Sequence, residues 1–571
     1  MTSNKQIHWH DYDVAKATKC VKQYQTAIAV AYRKGNKGES ERYQHNLIRS
    51  RSAAYVAVRQ VARLNRGKGT PGIDGITWNT PELKEQAVKT LRNRNWKEYK
   101  ASTVRRVYIP KARGGLRPLG IPTRIDRAAQ SLWQMALDPI AECGADQNSY
   151  GFRKARRTND AAQRIFLLCA RKKRKPKWVR DADIKGMFDN ISHQWVEANI
   201  PINNDVLKQW LKAGALGMNN EKIAINAGVP QGGTISPTIA NMVLDGLEEC
   251  LKDEAPRRKA NGKAVSAHVH VIRYADDFLV TRGSRDVMYN FIKPKVEEFL
   301  SERGLELNRD KTSIKEIDKG FDFLGYRFGR YTTIGKKNTP RKIFLIKPTK
   351  PNVKRLRQRI SEIVKDRLGR RSGELIGKLN PVLRGWAEYY KGTSAKEIYG
   401  SIDNYLWRVL WRWSKRKNTG VSKFDIAAKY FTKVGKRNWV FTGELNRKKV
   451  MLYNRKRTKI KRHLLIEKNR NPYLPEDQEY FEKREQSKAK YALWNSRTSK
   501  VLKRQDYRCP VCEQIIKSGE EVDIHHVVPR SKGGRNVISN LKVLHMECHR
   551  SVTFARSKKA LARYHQKGVI G

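Results

Sequence analysis

A pair of adjacent aspartates between two strand-like runs constrains this chain more than any other feature. Asp276 and Asp277 lie in the middle of a stretch, 268–280, that is rich in β-branched and aromatic residues on both sides. Such flanks favour strands, and the Ala-Asp-Asp centre favours a tight turn. A hairpin of this kind holds carboxylates at a sheet edge, where Mg²⁺ finds the oxygen ligands it prefers. The alternative is an ordinary acidic turn, because Asp favours turns for local hydrogen-bonding reasons.

A second acidic strand is predicted about 90 residues earlier. Trp178 to Ile184 reads as a strand, and Asp181 and Asp183 are two residues apart in it, so both carboxylates lie on one face. Gly186 is expected to end this strand, and Ser192 can cap the helix that follows.

Two glycine-rich turns accompany the acidic strands. Residues 107–122 predict a β-hairpin whose turn is flanked by Lys111 and Arg117, two cations suited to a triphosphate. A basic surface hairpin is the alternative. Gly228 to Pro237 predicts a turn that allows close approach of a nucleic-acid backbone. A helix through about Leu251 should follow, capped by Ser236.

The net charge of +64 requires a polyanionic partner, and nucleic acid is expected. No apolar run approaches the ~18–20 residues of a membrane-spanning helix, and the N-terminus lacks the apolar core of a signal peptide. The 571 residues suggest about three or four domains. Seven cysteines, three of them near the C-terminus, favour a reduced compartment with a local metal site over a disulfide framework.

The C-terminal cysteines have the spacing of a metal site. Cys509-x-x-Cys512 and His545-x-x-Cys548 form two ligand pairs, which fit a closed structural zinc site. His549 is the alternative to His545 as the fourth ligand. Zinc would replace the core that a terminal module of this size cannot build by itself.

Helical periodicity and a basic run fill the chain between the acidic strands and the cysteines. Apolar residues recur at helical spacing in 353–368 and 402–413, with 379–390 between them, so three helices are predicted. Residues 447–462 contain nine Lys or Arg in 16 residues, which is typical of a solvated face or of phosphate contact. Residues 471–475 are predicted to be a linker.

Three motifs in order resemble those of group II intron-encoded reverse transcriptases. They are Asp-Ile-Lys-Gly-x-Phe-Asp-Asn-Ile (183–191), Pro-Gln-Gly-Gly-x-x-Ser-Pro (230–237) and Tyr-Ala-Asp-Asp (274–277). The similarity covers about residues 65–345. It implies fingers and palm of a right-hand polymerase, in which two Mg²⁺ ions serve nucleotidyl transfer. Lys154 stands where family members commonly have proline, which affects loop geometry and not the chemistry.

The resemblance implies roles for individual residues. Asp183 and Asp276 would carry the metal ions with support from Asp277, and Ile184 belongs to the same metal site. Nucleotide binding is implied for a further set: Lys111, Arg117, Phe188, Gln231 and Lys311. Within it, Lys111 and Arg117 would bind the triphosphate, Phe188 would exclude a ribose 2′-hydroxyl, and Gln231 would lie beside the incoming nucleotide. Lys311 would serve the phosphates or the leaving group. A core aromatic is the alternative for Phe188.

The stretch 379–390 also resembles the family's maturase domain, in which the thumb binds intron RNA. RNA contact is expected from the basic faces between the apolar stripes: Arg384, Arg408, Arg412, Lys415, Arg416 and Lys417. Residues 435–441 are similar to the family's DNA-binding region. Contact with nucleic acid is expected from the run that follows: Arg447, Lys448, Lys449, Arg455, Lys456 and Arg457.

The C-terminal module resembles an HNH endonuclease, a ββα fold with one catalytic Mg²⁺ or other divalent ion. His526 matches the general base, which suits a side chain that titrates near working pH. His525 and His549 match the metal-binding positions. Asn540 matches the residue that fixes the loop carrying the base, and Asp523 would assist. The alternative is a zinc ribbon that only binds DNA.

The expected fold is α+β and multidomain. The predicted domains are a basic helical extension (1–65), fingers and palm (66–345), an α-helical thumb or maturase domain (346–420), a DNA-binding region with linker (421–495) and a zinc-stabilised ββα HNH domain (496–571).

The expected protein combines an RNA-directed DNA polymerase, a splicing maturase and a nuclease that nicks DNA to supply a primer. Its partners would be group II intron RNA, target double-stranded DNA and dNTPs, without a membrane. A homodimer is compatible with the sequence, and the bacterial cytoplasm is the expected location. Two alternatives are a stand-alone defence or diversification reverse transcriptase with a nuclease effector, and a splicing chaperone with relic enzyme motifs.

Overall fold

The computed structural model describes most of the chain. The described residues are 8–64, 66–110, 114–171, 175–217, 221–253, 258–260, 263–265, 268–334, 339–445, 447–455, 458, 460–492, 494, 496–517 and 519–571. They form an α+β multidomain fold, as expected from the sequence. No helix in these ranges is long and apolar enough to cross a membrane.

The N-terminal helices are part of the main body of the protein. They are α1 (Val14–Arg33), α2 (Lys37–Arg49), α3 (Arg51–Arg59) and α4 (Pro81–Arg92). Asp13, Asn36 and Thr80 cap α1, α2 and α4 through their side-chain oxygens. Ile28, Leu47 and Tyr55 are buried in the same hydrophobic core as helix α5. The predicted extension therefore does not stand apart from the domain that follows it.

The fingers and palm contain most of the strands. Their elements are β1 (Val104–Pro110), β2 (Leu116–Ile121), α5 (Arg124–Gly144), α6 (Thr158–Cys169), β3 (Trp178–Asp183), α7 (Met187–Asn190), α8 (His193–Asn199), α9 (Asn204–Leu211), β4 (Ala215–Leu216), β5 (Lys222–Ile223), α10 (Ser236–Leu244), α11 (Leu247–Asp253), β6 (Arg258–Ala260), β7 (Lys263–Val265), β8 (His270–Tyr274), β9 (Asp277–Arg282), α12 (Arg285–Val287), α13 (Lys293–Ser301), β10 (Ser313–Glu316), β11 (Phe321–Phe323), β12 (Tyr326–Ile334) and β13 (Pro340–Pro348).

The palm is an antiparallel sheet in the order β10-β3-β9-β8. A second sheet, β2-β1-β4-β5, contains the basic hairpin, and β11-β12-β13 leads to the helices that follow. Both predicted hairpins and the predicted acidic strand are present. Helix α8 is capped by Ser192, as expected.

The single helix predicted for residues 236–251 is wrong. The chain forms α10 and α11, and the two are separated at Asp245 and Gly246, where Gly246 has a φ of +93°. Ser236 is the first residue of α10 and does not act as its cap. Its Oγ donates to the carbonyl oxygen of Pro230 at 2.9 Å instead, which closes the glycine-rich turn.

Three helices follow the palm, as the periodicity predicts. They are α14 (Lys350–Asp366), α15 (Ser372–Tyr390) and α16 (Lys396–Lys417). Their shared core includes Ile360, Leu379, Leu406 and Leu410. Next come α17 (Lys423–Tyr430), β14 (Phe431–Val434), β15 (Arg437–Leu445) and β16 (Lys448–Met451). The strands form a three-stranded sheet whose buried Phe431 and Phe441 join the same core.

The stretch predicted as a linker is packed into the fold. Asn471, Tyr473 and Leu474 are buried, and Tyr473 and Leu474 contact Ala29 of α1. The chain then continues into α18 (Pro475–Lys490). Hydrogen bonds from Asn471 to Asp477 Oδ2 and from Tyr473 to Asn471 Oδ1, both 2.9 Å, satisfy backbone groups that burial would otherwise leave unpaired.

The C-terminal module comprises α19 (Ser496–Arg504), β17 (Val522–His526), β18 (Leu541–His545), α20 (Met546–Thr553) and α21 (Lys558–Gln566). Strands β17 and β18 pair in an antiparallel hairpin. The module contacts the segment that precedes α1, since the carboxylate of Asp11 accepts from the backbone nitrogens of Arg556 (2.8 Å) and Ser557 (3.1 Å).

Gly151 supports the turn between β8 and β9 from behind. A Cβ atom at this position would lie 2.3 Å from the backbone nitrogen of Ala275. We therefore expect Gly151→Ala to destabilise the palm by about 1–3 kcal/mol, because overpacking forces the backbone to move. Urea denaturation measures the effect. Gly144→Ala is the control, since no atom lies within 4 Å of its Cβ position; equal midpoints for the two variants would contradict this prediction.

His270 in β8 has basic surroundings. Its pKa is lowered to about 3, first by burial and then by the charges of Arg164, Arg171 and Lys252, with His268 contributing. The native protein therefore keeps this imidazole neutral at pH values where an unfolded chain takes up a proton.

The stability of the protein should consequently fall as the pH drops below about 6.5, the ordinary pKa of histidine, because only the unfolded state gains the proton at position 270. Between pH 7 and 5 we expect His270→Gln to remove up to about 2 kcal/mol of this loss. Urea midpoints at the two pH values measure it. His45→Gln, at an exposed site on α2, is the control and should leave the loss unchanged.

Candidate functional site

The acidic hairpin is closed by a two-residue turn. Tyr274 pairs with Asp277, so Ala275 and Asp276 form the turn, and Ala275 has a φ of +59°. The turn is held from behind, since the backbone nitrogen of Tyr150 donates to the carbonyl oxygen of Arg273 at 2.9 Å. Asn241 of α10 donates to the carbonyl oxygen of Gly151 at 2.8 Å. These contacts fix the position of the two adjacent aspartates.

The palm register brings the third aspartate to the same place. In the antiparallel pairing of β3 and β9, Asp183 lies directly opposite Asp277. The carbonyl oxygen of Asp183 accepts from the backbone nitrogen of Asn308 at 2.8 Å, which holds the end of β3. Lys311 Nζ contacts Asp183 Oδ2 at 2.9 Å. Ile184 is buried at the end of the strand and pairs with Leu307.

The electrostatics of this cleft favour a bound cation. Desolvation and the neighbouring charge of Asp183 raise the pKa of Asp276. Desolvation, followed by the charges of Asp276, Asp183 and Asp181, raises the pKa of Asp277 to about 7. Lys311 and Arg117 offset part of this repulsion. Oxygen ligands crowded in this way have the donor chemistry of a divalent-metal site.

Two of the predicted nucleotide-binding residues, Arg117 and Lys311, lie close to the acidic cleft. Arg117 lies on exposed β2 and is close enough to Asp276 to lower its pKa. The carbonyl oxygen of Gln231 accepts from the backbone nitrogen of Gly120 at 2.8 Å, which joins the glycine-rich turn to β2. Phe188 is half-buried against Phe152, with ring centroids 6.5 Å apart. Lys111 lies outside the described residues.

The predicted nucleic-acid contacts differ in accessibility. The side chains that lie exposed are Arg408, Arg412, Lys415, Arg416, Arg447, Lys448 and Lys449. Arg384 is half-buried above the ring of Tyr453, 5.5 Å from its centroid. Lys417 donates to the carbonyl oxygens of Gly369, at 3.5 Å, and Arg370. Lys456 and Arg457 lie outside the described residues.

Arg455 is not available to nucleic acid. Its side chain is 0% exposed and forms an ion pair with Asp403 of α16. The basic run predicted a solvated cation here, but an arginine enters the interior when a carboxylate compensates its charge. The expectation of a phosphate contact at Arg455 is therefore wrong.

The histidines of the predicted nuclease site lie in β17 and next to it. The rings of His525 and His549 have centroids 5.1 Å apart, and His549 Nδ1 lies 3.2 Å from Asp523 Oδ2. His525 Nε2 donates to the carbonyl oxygen of Val569 at 2.9 Å. His526 Nε2 lies 3.4 Å from Asn536 Oδ1 and is half-buried.

Asn540 joins the two sides of the loop that follows His526. Its side-chain oxygen accepts from the backbone nitrogen of Val528 at 2.8 Å. Its side-chain nitrogen donates to the carbonyl oxygens of Val528 and Arg535, each at 3.0 Å. Three hydrogen bonds from one side chain give this loop a defined shape.

Cys509, Cys512, His545 and Cys548 place one ligand atom each within 4.8 Å of all the others. In the described part of the chain they are the one group of three or more metal-ligating side chains drawn together this closely. His545 Nδ1 lies 3.3 Å from Cys512 Sγ and 4.0 Å from Cys548 Sγ. Tetrahedral ligands at Zn–S distances of ~2.3 Å have similar separations, so the donor set suits zinc. His545, and not His549, is the fourth member.

The sequence did not reveal what surrounds this cluster. His545 Nε2 lies 3.2 Å from Glu520 Oε2, an arrangement that orients a metal-bound histidine. Arg59 of α3 donates from Nη2 to Cys548 Sγ at 3.5 Å. No local pattern could have predicted this contact, because 489 residues separate the two. A polymerase-domain helix thus contacts a predicted ligand of the C-terminal cluster.

Comparison with known proteins agrees with this arrangement. Family models match at residues 9–91 (N-terminal domain of reverse transcriptase), 109–328 (reverse transcriptase, RNA-dependent DNA polymerase), 353–431 (group II intron, maturase-specific domain) and 509–554 (HNH endonuclease).

Individual relatives cover the chain in part. Protein YkfC of Escherichia coli is 32% identical over 304 residues, which are 47% of this chain and 77% of YkfC. Group II intron-encoded protein LtrA of Lactococcus lactis is 27% identical over 351 residues, which are 50% of this chain and 57% of LtrA. Telomerase of Candida albicans is similar at a TM-score of 0.31 and 11% identity over 58% of this chain and 64% of that chain.

The fold, the aspartates of the palm and the histidines of the C-terminal module define a polymerase joined to a nuclease. The chain belongs to the reverse transcriptases encoded by group II introns. It is a multifunctional protein with RNA-directed DNA polymerase, maturase and HNH endonuclease domains. Polymerase and nuclease domains of these kinds use divalent metals, and their substrates are RNA, DNA and dNTPs.

The contact of Arg59 with Cys548 predicts that the N-terminal helices help to retain the metal. We expect Arg59→Gln to weaken metal retention by about 10- to 100-fold, because neighbours of metal ligands typically contribute this much to affinity. Release of zinc to a chromophoric chelator measures it. Arg42→Gln, on exposed α2, is the control, and Cys509→Ser marks complete loss. Equal retention by the Arg59 and Arg42 variants would contradict the prediction.

Proposed function

We propose that Asp183, Asp276 and Asp277 hold two Mg²⁺ ions for primer extension, with Ile184 completing the site. The observation that carries this proposal is the register of β3 and β9, which sets Asp183 opposite Asp277 beside the turn residue Asp276. Bound metal ions activate the primer 3′-hydroxyl and stabilise the leaving pyrophosphate. The electrostatics support the proposal, since desolvation and the neighbouring carboxylates raise the pKa of Asp276 and of Asp277.

The surrounding residues orient the incoming nucleotide. Arg117 is exposed near Asp276, and its forked donors suit the triphosphate, with Lys111 as the second cation. Gln231 borders the cleft on the glycine-rich turn, and Phe188 excludes a ribose 2′-hydroxyl. Lys311 pairs with Asp183 and, once metal replaces it there, is free to contact phosphate.

The nuclease supplies the primer. His526 takes a proton from the attacking water, His525 and His549 hold a divalent ion with help from Asp523, and Asn540 keeps the loop in place. A nick in one strand of the target DNA leaves the 3′-hydroxyl that the palm extends along intron RNA. The Cys509, Cys512, His545 and Cys548 cluster binds structural zinc, which replaces part of the core of this small module.

The thumb and the sheet β14-β15-β16 bind intron RNA and target DNA. The support is charge: exposed cations line α16 and the turn before β16 on a chain of net charge +64. Seven free cysteines fit a reducing compartment such as the bacterial cytoplasm. We also propose the domain ranges predicted from the sequence: 1–65, 66–345, 346–420, 421–495 and 496–571.

Two substitutions separate the two activities. We expect Asp183→Ala to reduce primer extension by at least about a thousandfold while DNA nicking persists, because only the palm loses a metal ligand. Asp181→Asn is the matched control: it lies on the same face of β3, pairs with Lys315 at 3.1 Å, and should cost less than about tenfold. Undiminished extension by Asp183→Ala would refute the palm assignment.

The reciprocal variant is His526→Ala, which should abolish nicking and spare extension from a supplied primer. His565→Ala, an exposed histidine of α21, is its control. Loss of both activities in a folded His526→Ala protein would overturn the model of two separate sites. A wild-type protein that neither extends nor nicks, yet promotes intron splicing, would favour a splicing chaperone with relic motifs.

A further inference from the structure

Three tryptophans form an open aromatic cluster on the thumb, outside the site described above. Trp407 and Trp411 are four residues apart on α16 and stack with centroids 6.1 Å apart and an interplanar angle of 5°. Trp439 of β15 lies nearly perpendicular to both, at 6.2 Å from Trp407 and 5.8 Å from Trp411. Trp407 is 39% exposed and Trp439 is 51% exposed. Trp411 packs partly against the thumb core, but burial does not explain the exposed rings of Trp407 and Trp439.

Trp439 is held in place by an unusual backbone. The pairing of β14 with β15 shifts between Thr432 and Val434, so β15 carries an extra residue at this point. Trp439 has a φ of +59° within this bulge, a region that large side chains rarely adopt. Bulges redirect side chains, and strained backbone occurs where a binding surface needs it. Phe431, buried beneath, contacts Trp411 and Trp439 at 5.7 and 5.6 Å and supports the cluster from below.

Exposed cations follow the tryptophans along the same helix. Arg408 comes after Trp407 and Arg412 after Trp411, so an arginine row lies beside the tryptophan row. Neither arginine forms an ion pair with a carboxylate of the described residues. A nucleotide presents the matching pattern, a flat base next to a charged phosphate. A second aromatic surface on a partner protein would leave these charges without a counterpart.

We propose that Trp407, Trp411 and Trp439 stack an unpaired nucleobase while Arg408 and Arg412 contact the neighbouring phosphates. The site recognises a base that is unpaired in bound RNA or DNA, because stacking needs a free ring face and reads no sequence. This proposal rests on the proposed nucleic-acid function of the thumb and adds the structural class of its ligand. The tryptophan cluster would therefore bind nucleic acid more tightly at a bulged or melted position than along a continuous duplex.

Fluorescent duplexes test this directly with the full-length protein. One duplex carries a single unpaired 2-aminopurine, a second carries an abasic nucleotide at that position, and a third is fully paired; each is made as DNA and as RNA. We expect the wild type to bind the 2-aminopurine duplex about tenfold more tightly than the abasic one and to quench its emission, since only the intact base can stack on the indole rings. The nucleic acid, DNA or RNA, whose 2-aminopurine duplex binds more tightly is the one that supplies the unpaired base.

Substitutions then assign the effect to the cluster. Trp439→Ala should remove both the preference and the quenching, and Trp439→Phe should keep most of each because a ring remains. Arg408→Gln is the matched control: it should weaken all three duplexes equally and reduce the salt dependence of binding. Unchanged metal content and urea midpoint show that each variant is folded.

Three results would overturn the inference. Equal binding of the 2-aminopurine and abasic duplexes by the wild type would exclude a stacking site but leave the proposed function intact. Retention of the preference by Trp439→Ala, together with a changed sedimentation coefficient, would make the cluster an interface between copies of the chain. Failure to bind any of the duplexes would count against both this site and the proposed function.

Discussion

The pairing of β3 with β9 is the constraint on which the polymerase site depends. Asp183 and Asp277 face each other across two hydrogen-bonded strands, with Asp276 at the adjacent turn. Three carboxylates this close repel one another, and the pKa of Asp277 rises to about 7 as a result of desolvation and of those charges. A shift of one residue in the register would move Asp183 to the opposite face of the sheet. The supporting contacts at Gly151, Asn241 and Asn308 therefore act on the geometry of the site through the backbone.

Several buried arginines pair with carboxylates, whereas Arg408 and Arg412 at the surface of α16 have no carboxylate partner among the described residues. Arg455 is buried against Asp403, and Arg153 and Arg156 share Glu142 in the interior. Residues of one basic run therefore differ in accessibility: Arg455 is buried, whereas Arg447, Lys448 and Lys449 are exposed. An exposed cation can be neutralised by a polyanion with release of counterions, which a buried and paired one cannot.

The polymerase and nuclease modules are physically continuous. The N-terminal helices share the core of α5 and contact the cysteine cluster through Arg59. Asp11, just before α1, accepts from the backbone of Arg556, between α20 and α21. A nuclease domain on a flexible linker would lose chain entropy each time it docked beside the palm. Here hydrogen bonds from Arg59 and to Asp11 join the two modules directly.

Features that depend on short-range patterns and on side-chain chemistry could be predicted from the sequence. The acidic hairpin, the acidic strand, the basic hairpin and the three thumb helices follow from side-chain periodicity and turn residues, and the structure contains each of them. The Cys-x-x-Cys and His-x-x-Cys pairs predicted a metal site, because few other functions require that spacing. The four ligand atoms lie within 4.8 Å of one another.

Features that depend on distant contacts are visible only in the folded protein. In the folded protein the helix after Ser236 is interrupted at Gly246, and the stretch around Tyr473 is buried. Arg455 is buried by its ion pair with Asp403 and is not available to nucleic acid. Folding also brings Arg59 into contact with Cys548 and places Trp439 in a strained bulge beside α16. Sequence periodicity describes one element at a time, whereas burial, charge pairing and strain arise from the partner that folding brings alongside it.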